Sequence, residues 1–513
     1  MTHKNKFSIR QLADNFQFSN WPALLVINAI TLFLCFYNVG GLEVGRDEGV
    51  HAFAAKTLAF EGRYALKSGM DYYNFDRRIA VGPTIIAPTA LLFKLFGVSL
   101  YTIRAVPALY FLLFILAFYF LVKREFSKTT AFLTCLLILS SQWSFWRDIA
   151  LFNPIYRTLT GESAGLFFLA LSLLLWKRGW VSAFVLGLAI LTKYQFALAI
   201  VPFLLVRFAK YGILPNRENP GLENPGLEKL KEFLSTGFFL AFPLFCWFLV
   251  QYMLLVSESF WSQLSSYRNF SDQTCDLSFI RIKQNIIDKW AELTPPALKI
   301  FFTLPAIIYG WFHTVREKAF RNGVKVFMII FSTIWMVWYL FSRGYIRYEI
   351  PGLYFSLIFL SLFFVNCFKG VSFKKDTPLL IFITSLFTLI IGFGFYINYR
   401  EAKVIEPKSA YNMAKYLKAQ VSPGNILTGE LDYAVDLFLD DRRLSLFHAF
   451  SGARQKASLD ENFVYPTNNN YSYIISKDND PTFESLLRLD DWRFVEKFGD
   501  LSLYRFVDCG CGN

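Results

Sequence analysis

Trp21-Pro-Ala-Leu-Leu-Val-Ile-Asn-Ala-Ile30-Thr-Leu-Phe-Leu-Cys-Phe-Tyr-Asn-Val39 carries no charge and runs directly into Gly40-Gly-Leu-Glu-Val-Gly-Arg-Asp47-Glu48. About 20 mostly apolar residues cross a bilayer as a helix, because hydrocarbon offers a chain no hydrogen bonds and the backbone must satisfy its own. This first stretch is therefore a membrane span. It is too long for a cleavable signal and lacks a small-residue cleavage site, so it reads as a signal anchor. Lys4, Lys6 and Arg10 precede it and place the N-terminus in the cytoplasm.

The same pattern recurs outward along the chain, at Ile103–Val122, Ala131–Phe145, Thr236–Val256, Val324–Phe341, Gly352–Cys367 and Pro378–Ile397. The whole chain of 513 residues is 54% hydrophobic and only 18% charged, against about a quarter charged in a soluble domain. No soluble core of this size buries so much apolar surface. Short basic turns recur at Lys123/Arg124/Lys128, Lys177/Arg178, Arg207 to Lys231, Arg316 to Lys325 and Lys369 to Lys375. Taken as cytoplasmic, they accommodate about eleven spans. Ala164–Trp176 and Val181–Leu191 are short for full crossings, and a doubled Glu-Asn-Pro-Gly-Leu near 218–227 reads as a loop duplication.

Charge divides the chain at about residue 400. From Arg400 onward there are 14 Lys and Arg against 17 Asp and Glu, leaving 38 against 22 before it. The basic excess lies between spans, where orientation in the membrane explains it and nucleic acid does not. Residues 1–399 are thus expected to be a helical polytopic membrane domain, and 400–513 a small extracytoplasmic α/β domain. In the latter, Ser409–Ala419 has helical spacing, and Asn425–Thr428, Tyr471–Ser476 and Leu501–Phe506 read as strands. The seven cysteines show no paired metal-ligand spacing.

Four outward segments carry the chemistry. The first holds Asp47, Glu48 and His51, then Asp76, Arg77 and Arg78. Ionisable groups at a membrane boundary are functional candidates, although an ordinary solvated loop accounts for them equally well. The second holds Asp148 and Thr160-Gly-Glu162, where Glu162 is also well explained as an acid in the first turn of a helix. In the third, Gly187-Leu-Ala-Ile-Leu-Thr-Lys193, a lysine interrupts an apolar run and is expected to snorkel to the outer interface. The fourth, Ser342-Arg343-Gly-Tyr-Ile-Arg347-Tyr348-Glu-Ile-Pro351, puts two arginines on an outer turn, against the usual charge bias. Their planar forks suit phosphate.

Asp47-Glu48-Gly-Val-His51-Ala-Phe-Ala-Ala-Lys-Thr-Leu-Ala-Phe-Glu-Gly62-Arg-Tyr resembles the first outer loop of the GT-C glycosyltransferases. These include the protein O-mannosyltransferases and the bacterial transferases that attach aminoarabinose to lipid A. Gly82-Pro83, the run Leu95-Phe-Gly97-Val-Ser-Leu-Tyr-Thr-Ile-Arg104, then Thr160-Gly-Glu162, the Lys193 stretch and Arg347-Tyr348 follow in that group's order. The resemblance covers nearly all of the first 360 residues. It implies a polyprenyl-phosphate-linked sugar as donor and a glycan, lipid or protein hydroxyl as acceptor, with membrane lipid as surroundings and no nucleic acid. By position, Asp47 is the general base, Glu48 its neighbour and Glu162 the second acid. Lys193 and Arg347, with Arg77, Arg78 and Arg343, are the cations for the donor phosphate. His51, Tyr348 and Asp148 are candidates for contact with acceptor or sugar. No His/Asp cluster demands a metal, although a divalent ion beside Asp47 is compatible with the set. Val50 stands where lipid A enzymes carry an arginine, and Ala80-Val81 precede Gly82-Pro83 where they carry a lysine, which argues against lipid A and aminoarabinose. The competing reading is a transporter or flippase. It predicts inverted repeats and charges near span centres, whereas these charges gather at outer ends.

Overall fold

A computed structural model describes residues 21–69, 71–76, 78–141, 155–212, 225–255, 296–316, 323–341, 346–370, 377–403, 408–421, 424–428, 433–439, 444–448, 471–477 and 492–506. The first span is α1 (Trp21–Phe36). The long segment that follows contains α2 (Arg46–Glu61) and the strands β1 (Ala65–Ser68) and β2 (Asp71–Asn74). The bundle continues with α3 (Pro83–Phe96), α4 (Leu100–Glu125), α5 (Lys128–Ser140), α6 (Glu162–Leu174), α7 (Gly179–Thr192), α8 (Ile200–Gly212) and α9 (Pro225–Leu254). It closes with α10 (Pro296–Arg316), α11 (Gly323–Phe341), α12 (Ile350–Gly370) and α13 (Thr377–Ala402).

The helix ends follow local chemistry. Ser99 caps α4 by accepting from the Thr102 N–H at 3.2 Å, and Ser127 caps α5 by accepting from the Thr130 N–H at 3.1 Å. Pro83 occupies the first turn of α3, where the missing N–H costs nothing. Among the described residues, four helices are long and apolar enough to cross a membrane: Trp21–Gly41, Leu100–Glu125, Leu230–Leu254 and Ile350–Phe368. Six shorter apolar helices accompany them. Among the described residues, then, the count of long apolar helices is four, and the expected eleven crossings are not established. Helix α6 is only 13 residues and α7 only 14. Their faces are largely covered by α4, α9 and each other, so protein supplies part of the surroundings that a lone span would need from lipid.

The bundle core is aromatic. Phe114 stacks on Tyr354 at 5.8 Å, Phe118 meets Phe355 edge-on at 5.1 Å, and Phe331 meets Phe355 edge-on at 5.0 Å. These pairs join α4, α11 and α12, with α5 packed against both α4 and α12. Such ring pairs contribute about 0.5–1.5 kcal/mol each beyond area burial. A second apolar cluster lies where Val50, Phe53 and Ala54 of α2 meet Ile85, Ile86 and Phe93 of α3.

The C-terminal segment begins with α14 (Ser409–Gln420). It then alternates β3 (Gly424–Thr428), α15 (Tyr433–Phe438), β4 (Leu444–His448), β5 (Tyr471–Lys477), β6 (Trp492–Phe498) and β7 (Leu501–Phe506). The strands form one sheet in the order β4-β3-β5-β7-β6. Strands β4, β3 and β5 run parallel, and β7 pairs antiparallel with both β5 and β6. The expected helix and three expected strands lie at α14, β3, β5 and β7. Strands β4 and β6 and helix α15 were not foreseen.

Candidate active site

The N-terminus of α2 sits at the exit of the first span. Gly45 is its extended N-cap, and the Glu48 carboxylate reaches back to the Gly45 N–H at 3.4 Å. Asp47 and Glu48 fill the first turn, where the helix dipole favours negative charge. Gly62 ends the helix at φ 70°, a left-handed conformation that suits glycine, and its N–H returns to the Leu58 carbonyl at 3.2 Å.

The adjacent acids then part company. Glu48 is buried and its carboxylate meets the Arg104 guanidinium at 3.1 and 3.2 Å. Arg104 comes from the first turns of α4 and also donates to the carbonyls of Val39 at 2.5 Å, Leu42 at 3.0 Å and Glu43 at 2.8 Å. One guanidinium therefore gathers the whole connection between α1 and α2. Asp47 remains half-buried on another side of the helix. His51, one turn on, is buried with Nδ1 2.5 Å from the Leu159 carbonyl, so that nitrogen carries the proton. This bond ties α2 to the segment leading into Glu162. A second buried arginine, Arg157, donates to the carbonyls of Leu34 and Tyr37, both at 2.7 Å, at the end of α1.

The second acid and the lysine form one knot. Glu162 is the first residue of α6, after Gly161 at φ 87°. Lys193 is not in a helix centre but at the extended C-cap of α7. Its ammonium pairs with the Glu162 carboxylate, donates to the Thr160 carbonyl at 3.0 Å and lies 4.9 Å from the centre of the Tyr348 ring. Both charged residues are almost wholly buried. The expected snorkelling to the interface is thus corrected: the lysine turns inward because a carboxylate, a carbonyl and a ring face are assembled there to receive it. The Val81-Gly82-Pro83 run closes the knot. The Gly82 N–H donates to the Thr192 carbonyl at 2.9 Å, and the Thr84 and Thr192 hydroxyls share a hydrogen bond at 2.7 Å. A Cβ on Gly82 would fall 1.7 Å from the Leu191 carbonyl oxygen, and one on Gly161 would lie 3.0 Å from Val81. These two glycines let three backbone segments meet.

Arg78 makes a two-pronged pair with Asp76, both N–O distances being 2.8 Å. Tyr433 of the C-terminal segment is close enough for both charges to act on it. Burial, the larger influence, pushes its phenol above the ordinary range, with Arg78 pulling it down and Asp76 pushing it up. Tyr433 therefore stays protonated in neutral solution. Arg77, Arg343 and Asp148 lie outside the described residues, as does the side chain of Arg347, whose backbone belongs to the turn Ile346–Glu349. Among the described residues no group of three or more His, Cys, Asp or Glu side chains is placed to hold a metal ion.

In the sequence Arg104 figures only as the end of the Leu95–Arg104 run, with no partner or role, and Arg157 is passed over. The signal for Arg104 was present: an arginine inside an apolar stretch is costly and needs a partner. Lys56, which donates to the carbonyls of Asp436 and Leu439, and Tyr433, which stacks on Phe53, join α2 to the C-terminal segment and had no such local signal.

The family model for dolichyl-phosphate-mannose-protein mannosyltransferases matches residues 81–218, a stretch that contains Gly82, Glu162 and Lys193. No curated protein sequence matches the chain. Among solved structures, ArnT from Cupriavidus metallidurans bound to undecaprenyl phosphate superposes with a TM-score of 0.61 at 16% identity, covering 97% of this chain and 100% of that one. The Archaeoglobus fulgidus oligosaccharyltransferase AglB, in complex with an inhibitory peptide and a dolichol-phosphate, matches with a TM-score of 0.55 at 12% identity over 90% of this chain and 69% of that one. At such identities the likeness is one of fold. It extends over almost the whole chain, and the chain is an integral membrane protein that resembles the GT-C glycosyltransferases in fold.

Proposed function

We propose that the chain is a membrane glycosyltransferase. It takes a sugar from a polyprenyl-phosphate-linked donor and transfers it to an acceptor hydroxyl on the extracytoplasmic face. The observation that carries this reading is the tie between the Asp47 helix and the Glu162–Lys193 knot, made through the hydrogen bond from His51 to the Leu159 carbonyl. It joins the helix that carries the half-buried Asp47 to the segment that leads into the buried Glu162–Lys193 pair. The undecaprenyl phosphate and dolichol-phosphate held by the two fold relatives support a lipid-phosphate donor. Residues 1–399 would form the membrane unit with about eleven crossings, and 400–513 a separate extracytoplasmic unit.

A sugar phosphodiester already carries a usable leaving group. The protein has to align the acceptor, remove one proton and stabilise the departing phosphate. In this reading Asp47 accepts the hydroxyl proton, the oxygen attacks the anomeric carbon opposite the phosphate, and configuration inverts. Lys193, with Arg78 and Arg347, balances the leaving charge. Glu48 acts on the shape of the site, since its carboxylate is taken up by Arg104.

The readout is the envelope glycan species that disappears on gene deletion and returns with the wild-type gene, followed by mass spectrometry. It is paired with transfer from undecaprenyl-phosphate-linked hexoses by purified protein. Asp47→Asn is expected to lower the rate by about two to four orders of magnitude while leaving the protein folded. Glu48→Gln keeps the geometry but leaves Arg104 buried without its counter-charge, so it is expected to lower thermal stability first. An Asp47→Asn protein that makes the glycan at the wild-type rate removes Asp47 as the base.

A further inference from the structure

The C-terminal segment docks on the catalytic loop through one short helix. Gly49, Phe53 and Lys56 recur at i, i+4 and i+7 and so form one stripe of α2. That stripe meets α15. A Cβ placed on Gly49 would lie 3.2 Å from the Ala434 nitrogen and 3.5 Å from its Cβ, so the two backbones pass as close as side chains allow. Phe53 stacks on Tyr433 with ring centres 5.2 Å apart. The Lys56 ammonium donates to the carbonyls of Asp436 at 2.7 Å and Leu439 at 2.8 Å. Those carbonyls end a six-residue helix, where backbone oxygens lack intrahelical partners and a cation is favoured.

Helix α15 is also divided between two cores. Tyr433 and Leu437 pack into the loop cluster with Val50, Phe53 and Ala54. Val435 and Leu439 pack into the C-terminal core with Met413, Leu417 and Ile475. Strand β4 lies against β1 beside it. On its other sides α2 is held by Glu48 to Arg104 and by His51 to Leu159. The helix bearing Asp47 is therefore gripped from the bundle on one side and from the C-terminal sheet on the other.

We infer that the C-terminal segment is a positioning module for the reaction. Through Ala434, Tyr433 and the Lys56 bridge it fixes the angle of α2, and so of Asp47, against the donor-phosphate knot. The inference rests on Asp47 acting as the base. Misplacing a catalytic group by about 1 Å costs up to about 100-fold in rate. The knot around Lys193 makes none of the contacts described for α15, and Arg78, although near Tyr433, stays clamped by Asp76, so undocking α15 is expected to spare phosphate binding.

The test uses the full-length protein with Lys56→Met, which removes the bridge, and Ala434→Phe, which wedges α15 off Gly49. Lys56→Arg, whose donors can serve the same two carbonyls, is the rescue. Expected results for both disruptive variants are faster amide hydrogen exchange over residues 46–56, glycan product lower by about 10- to 100-fold, and binding of undecaprenyl phosphate equal to wild type. Lys56→Arg is expected to restore product and exchange protection together. Full product in a variant whose 46–56 amides have become exposed overturns the inference. So does loss of undecaprenyl phosphate binding in step with product, which would make the contact a general requirement of folding. If Asp47→Asn itself leaves product unchanged, the catalytic assignment fails, and that outcome is separate from either of these.

Discussion

Lys193 and Glu162 meet as a buried pair, and this changes what a single substitution reports. Removing one partner of such a pair leaves an uncompensated charge and typically costs about 3–5 kcal/mol, whereas replacing both is often close to neutral. Lys193→Met alone is therefore expected to lower the melting temperature in detergent as well as weaken binding of undecaprenyl phosphate. Lys193→Met combined with Glu162→Gln is expected to recover most of the stability and none of the binding. Binding that returns with the double variant would show that the ammonium serves the fold and not the phosphate. The neighbouring acids teach a related point. Asp47-Glu48 is legible in the sequence as a charged doublet at a membrane exit, but the sequence does not say which acid turns inward. That depends on Arg104, which is 56 residues away and which the sequence shows as a costly charge in an apolar stretch without naming its partner.

Helix α2 shows what periodicity misses at the scale of an element. Residues 46–61 are mixed in polarity, and a search for apolar runs leaves them as loop. The end signals were nevertheless present: two acids in the first turn and a glycine just after the last. The spans were legible because 18 or more apolar residues admit few other readings. The close passage at Gly82 was not, because it depends on the Leu191 carbonyl across the bundle. A side chain there cannot fit without moving α7 away from α3. Gly82→Ala is expected to displace the Thr192–Lys193 corner and to lose undecaprenyl phosphate binding. Gly97→Ala, by contrast, replaces a glycine at φ 76° with open space around it, and should cost stability alone. Equal binding in wild type and Gly82→Ala would show that the corner tolerates the shift.

Across the whole molecule, sidedness follows from contacts that join distant parts of the chain. Asp47, Glu162, Lys193 and α15 are linked through His51–Leu159, Lys193–Glu162 and Lys56–Asp436. They therefore share one end of the bundle. The turn between α6 and α7, with Lys177 and Arg178, belongs to the basic series read as cytoplasmic. If that series sets the orientation, the shared end faces away from the cytoplasm, where a lipid-linked donor in the membrane can meet an acceptor arriving from water. A membrane-impermeant thiol reagent distinguishes the two arrangements. In a background without native cysteines, Tyr411→Cys on an exposed position of α14 is expected to label in intact cells. Lys177→Cys, also exposed, is expected to label only after the membrane is opened. Neither residue is among the proposed site residues, although Tyr411 meets Phe438 of α15 edge-on at 5.4 Å, so persistence of the glycan product is the check that the labelled protein is in its working fold. Labelling of Lys177→Cys from outside, with Tyr411→Cys protected until permeabilisation, would invert the protein. The reaction would then face the cytoplasm, and the basic turns would have to be explained by the donor phosphate and not by the positive-inside bias.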